Sequence, residues 1–137
     1  MYEKIMVPVD LSHRDHLDKA LATAASLSRS LSVPIVYVSV TTNTPSEVAH
    51  SPSEFAQKLE AFAQAQAAEH GICASSKAYT SHDPAIDLDE TLARAVEETG
   101  ADLVVMASHV PGLLERVWSS HAVRLATHAA TSVFIVR

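Results

Sequence analysis

Five short apolar runs punctuate this chain of 137 residues, and longer stretches of helical period separate them. Ile5-Met-Val-Pro-Val9, Ile35-Val-Tyr-Val-Ser-Val40, Leu103-Val-Val-Met106 and Val133-Phe-Ile-Val136 are almost wholly apolar and rich in β-branched residues. Runs that short and uniform suit strands covered on both faces, as in a parallel sheet. The remaining run, Ile72 to Tyr79, has serines alternating through it. It reads as an edge strand with one wet face. Pro8 suits a point where a ladder donor is not required.

The intervening segments carry helix signals. Ser12 is placed as a helix N-cap with Asp15 in the first turn. Leu17, Leu21, Ala24, Leu27 (or Ser28) and Leu31 then share one face, and Ser32-Val-Pro34 ends the helix. Thr41 to Pro52 is polar, carries two prolines and reads as a loop. Ser53 opens a second helix to about His70, with Phe55, Leu59, Phe62 and Gln66 on one face and Gly71 as C-cap. Pro84 sits in the first turn of a third helix, whose buried face is Leu88, Leu92, Ala95 and Val96, and Gly100 closes it. Leu113 to about Ala129 is a fourth helix. Strands alternating with helices from end to end call for one domain, residues 1–137, built as a doubly wound five-stranded parallel sheet flanked by helices. In such sheets ligands bind beyond the carboxyl ends of the strands.

Composition limits the function classes. A net charge of −6 lacks the basic footprint that nucleic acid requires. No apolar run approaches the ~18–20 residues that cross a bilayer, and the N-terminus has no signal-peptide pattern. Together with a single cysteine, Cys73, these features lead us to expect a cytoplasmic protein without a membrane or nucleic-acid partner. Cys73 falls within the third strand and is expected to be a buried, inert thiol. Catalysis is poorly supported. There is no Gly-x-Ser-x-Gly elbow, Cys-x-x-Cys, His-Glu-x-x-His or P-loop lysine.

Four separated segments carry a family resemblance. The opening Tyr2-Glu-Lys-Ile-Met-Val-Pro8-Val-Asp10-Leu-Ser12 resembles the start of a universal stress protein. His82-Asp-Pro84-Ala85 stands where that family often has a Gly-x-Pro turn. Gly100-Ala-Asp102-Leu-Val-Val-Met106 is similar to its fourth strand, and His128-Ala129 with Val133-Phe-Ile-Val136 to its ending. The resemblance covers the whole chain and implies a Rossmann-like sheet of the adenine nucleotide alpha hydrolase-like kind. It also implies a homodimer, because in the family the last strand pairs with its copy across a two-fold axis. The apolar strand Val133–Val136 agrees, since an unpaired apolar edge invites association. The plainer alternative is a strand covered within one subunit.

The family includes ATP binders and proteins that do not bind ATP. In the binders, a Gly-x-x-Gly-(nine residues)-Gly-Ser/Thr motif wraps the phosphates after the fourth strand. Glycines let backbone N–H groups approach the anion, and the following helix N-terminus adds partial positive charge. Here the first glycine position is Ala107. Without a gap, the second falls on Val110 and the third on Ser120. Anchoring on Val133 instead places the final pair at Ser119-Ser120 and shortens the loop by one residue. We adopt that register, because His128-Ala129 then also aligns. Every motif glycine is still missing, and Gly112 lies elsewhere in the loop.

These departures lead us to expect a dimeric stress-response regulatory or protective protein without tight ATP binding, and no firm cofactor. The first alternative is an ATP-binding sensor. The resemblance then puts Asp10 and Val40 on adenosine, with Pro8, Met106 and Ala107 beside them and Ser119 and Ser120 near phosphate. The plainer accounts are a loop carboxylate capping the first helix for Asp10 and core packing for Val40 and Met106. The second alternative is a slow nucleotide hydrolase, for which no general base is evident. His13, His82 and His109 follow the carboxyl ends of strands, and His121 lies in the next helix. Convergence there would suit a transition-metal or pH-responsive site, but the spacing matches no ligand signature, so we expect separate solvated or capping histidines and no metal site. A phosphoacceptor response-regulator domain fits less well, because the first strand ends in one aspartate and no lysine follows the last strand.

Overall fold

A computed structural model describes residues 1–45, 48–107 and 131–137. The strands are β1 (Ile5–Pro8), β2 (Ile35–Thr41), β3 (Ala74–Thr80), β4 (Leu103–Ala107) and β5 (Ser132–Val136). The helices are α1 (Asp18–Leu31), α2 (Pro52–His70) and α3 (Pro84–Thr99), with a short 3-10 segment at Leu11–His16. All strand pairs are parallel, in the order β3-β2-β1-β4-β5. The doubly wound parallel sheet expected from the apolar runs is therefore present. The proposed helix Leu113–Ala129 lies outside the described residues, as do His109, Val110, Gly112, Ser119, Ser120 and His121.

Successive residues of each strand point to opposite faces. Ile5, Val7 and Val9 of the first strand region join Tyr37 and Val105 beneath α1 and α2, against Leu21, Ala24, Leu59 and Phe62. Met6, Val36, Val38, Val104 and Met106 face the other way, onto Leu88, Leu92, Ala95 and Val96 of α3. Two apolar layers thus sandwich one sheet, which is why the central strands read as unbroken apolar runs.

Local chemistry fixes the ends of the elements. Val9 N–H reaches Val38 O at 2.8 Å, so Pro8 presents its missing donor to the β4 side. The β1–β4 ladder ends at Met6, so that donor is not needed. Ser51, not Ser53, caps α2: its hydroxyl accepts Glu54 N–H at 3.1 Å. Pro52 then occupies the first helical position, where its lost N–H costs nothing. Gly71 and Gly100 end α2 and α3 at φ 63° and 72°, a conformation that suits glycine. Of the pair Leu27 and Ser28 on α1, Ser28 is the buried one and Leu27 is only half-buried. The Ser28 hydroxyl is satisfied by Val33 O at 2.5 Å. Cys73 overturns its expected burial. It precedes β3 at the open edge of the sheet and is exposed.

Candidate functional site

The chain runs outward through β1, β2 and β3, then returns to place β4 on the other side of β1. That reversal opens the crevice in which doubly wound proteins hold ligands, at the carboxyl ends of the strands. A cavity of about 250 Å³ lies at the ends of β1 and β2. Its apolar lining includes Val9, Val38, Val40, Phe55, Leu88 and Leu92. Its polar lining is Asp10, Ser12, His13, Ser39, Thr41 and Thr42.

Asp10 is the pivot of this rim. The tight turn after β1 draws its carboxylate back onto its own backbone. Oδ1 accepts Ser12 N–H at 2.9 Å, and Oδ2 meets His13 Nδ1 at 3.0 Å. The Asp10 carbonyl also accepts His13 N–H at 3.0 Å. Asp10, not Ser12, is therefore the cap of the first helical turn. His13 stands at a kink, φ −130° and ψ 43°, that interrupts the 3-10 segment. Both side chains remain in reach of solvent, 16% exposed for Asp10 and 37% for His13. Asp10 and His13 are the two titratable groups in the described lining.

The remaining polar groups are partly committed. Ser39 donates to Val9 O at 2.7 Å, a buried bond that holds the ends of β1 and β2 together. Thr42 bonds Thr44 through its hydroxyl at 2.9 Å. Thr41 contributes its carbonyl to Ser81 N–H at 2.8 Å, joining the β2 exit to the start of α3.

Of the residues named from sequence, Asp10 and Val40 line the cavity together. Pro8 is buried in the central strand, and Met106 is packed under α3 at 1% exposure. Ala107 ends β4 opposite Val136. His13 joins Asp10 at the rim, whereas His82 is exposed in the turn after β3. No cluster of three or more metal-ligating side chains occurs among the described residues. The sequence reading missed Phe55, Leu88 and Leu92 as lining, because their helical period marks them only as core-facing. It also missed the Asp10–His13 pair, although the three-residue spacing is visible in the sequence.

The family model for the universal stress protein family matches residues 1–137. The chain belongs to that family. Among solved structures, a universal stress protein family member from Burkholderia pseudomallei is 27% identical, with TM-score 0.68 over 98% of this chain and 96% of that one. The universal stress protein of Lactobacillus plantarum superposes with TM-score 0.70 at 18% identity, covering 99% and 98% of the two chains. An Archaeoglobus fulgidus member, solved in complex with dAMP, gives TM-score 0.67 at 18% identity over 99% and 98%. No curated protein sequence matches the chain. The latter two likenesses bear on the fold alone.

Proposed function

We propose that this universal stress protein is a dimeric regulatory or protective factor whose cavity takes a nucleoside-sized ligand weakly and does not hold ATP tightly. The observation that carries this reading is the state of Asp10. Each of its carboxylate oxygens already has a partner from its own turn, Ser12 N–H and His13 Nδ1. A ligand diol would have to share or displace these bonds. A hydrogen bond to a charged group contributes ~1.5–3 kcal/mol, so losing even one blunts affinity. The cavity volume of about 250 Å³ also falls below the ~300–1,000 Å³ of ordinary ligand clefts. Ala107 stands where ATP-binding members begin their phosphate motif with glycine.

The dimer rests on β5. It is the last strand in the sheet order, and Phe134 and Ile135 are 45% and 41% exposed. An apolar edge of that kind is normally paired or covered.

The ATP-sensor reading has one observation in its favour: Asp10 and Val40 share the cavity as that reading requires. Amide NMR spectra with adenosine and with ATP separate the two. Our reading expects both ligands to shift the same lining residues, Val9, Val40 and Thr41, at similar millimolar concentrations. Micromolar saturation by ATP, with further shifts beyond Ala107, would favour the sensor.

A further inference from the structure

We infer that His13 is a specificity-setting residue that weakens binding of diol-bearing ligands by competing with them for the Asp10 carboxylate. The inference rests on the reading of this cavity as a nucleoside site, and it assigns the residue that tunes it.

Three observations converge on His13. Its ring nitrogen lies 3.0 Å from Asp10 Oδ2, within hydrogen-bond range. Its backbone breaks the helical turn at φ −130°, and that turn is also pinned by His13 N–H on the Asp10 carbonyl. Both residues line the cavity, so the competing donor borders the space a ligand would occupy. A carboxylate accepts about four hydrogen bonds, so His13 does not block a sugar diol outright. It takes the oxygen Oδ2, leaving a diol to share that atom.

The described polar neighbours of His13 are Asp10, its hydrogen-bond partner at 3.0 Å, and the His16 ring, 6.4 Å away on the same turn. Among the described residues the cavity lining from β2, α2 and α3 is uncharged: Val38, Ser39, Val40, Phe55, Leu88 and Leu92. Within that lining Asp10 is the carboxylate a diol would seek, and His13 is the side chain that already holds it.

Calorimetric titration with adenosine tests this in the full chain, His13→Ala and His13→Gln. Thermal melting first establishes that each variant is folded. His13→Ala should bind adenosine about tenfold more tightly than wild type, the effect of one hydrogen bond to a charged group. His13→Gln keeps a donor beside Asp10, so it should fall between the two. A 2′,3′-dideoxyadenosine control, lacking the diol, should not distinguish wild type from His13→Ala. Adenosine binding that ignores His13 overturns the inference alone. No adenosine binding to any variant overturns the nucleoside reading, and this inference with it.

Discussion

Lys4 and Asp102 clasp each other at the amino ends of the central strands. Lys4 N–H donates to the Asp102 carboxylate at 3.2 Å, and Asp102 N–H donates to Lys4 O at 3.2 Å. Glu3 N–H reaches the same carboxylate at 2.9 Å, and Asp102 O accepts Ser132 N–H at 3.2 Å. One side chain therefore sets the entry register of β1 and β4, and its backbone that of β5. Asp102→Ala leaves the amides of Glu3 and Lys4 without their acceptor. Urea unfolding should show a loss of ~1–3 kcal/mol, with Asp102→Asn losing less because one amide oxygen can still accept. An unchanged midpoint would mean that strand pairing alone fixes the register.

Tyr37 supplies a second prediction. Its ring packs edge-on to Phe62, with centroids 5.3 Å apart, and is fully buried. Its hydroxyl has no hydrogen-bond partner among the described residues. Burial pushes its pKa from 10.0 up to about 12. Because the folded value is the higher one, the associated stability is complete below about pH 10 and is lost as pH rises towards about 12. The slope there should approach ~1.4 kcal/mol per pH unit. Tyr37→Phe keeps the ring and removes the orphan hydroxyl. It should unfold at equal or higher urea at neutral pH, by up to ~1 kcal/mol, and lack that alkaline slope.

The exposed pair on β5 gives a third. Ile135→Lys puts a charge on an apolar edge while leaving the buried Val136 in place. Light scattering on the purified protein should change from a dimer mass to a monomer mass. A wild type already monomeric at high concentration would remove the dimer from the account.

β1, β2 and β4 were legible because they obey one simple rule: buried on both faces, they are almost wholly apolar, whereas the equally apolar β5 leaves Phe134 and Ile135 exposed against the expectation of a covered strand. β3 was legible for the opposite reason, since its alternating serines match an edge with half-buried and exposed positions. Cap identities were harder. Ser51 and Ser53 are both good N-caps by type, and the position of Pro52 decided between them. Asp10 outcompeted Ser12 because its carboxylate reaches the Ser12 amide two residues on. Cys73 was misjudged because it was placed inside the strand, whereas β3 begins at Ala74 and Cys73 lies exposed just before it. The cavity was half legible. Asp10 and Val40 came from family resemblance, whereas Phe55, Leu88 and Leu92 join them only once α2 and α3 are packed.

The central claim is that the cavity retains a nucleoside-sized site without tight hold on ATP. Calorimetric titration of the nucleotide-stripped protein with ATP and Mg²⁺, beside adenosine alone, tests it most directly. The account predicts weak binding of both, with ATP within about tenfold of adenosine, a difference of ~1.4 kcal/mol. Micromolar ATP binding far tighter than adenosine would contradict it, because the phosphates would then supply most of the affinity.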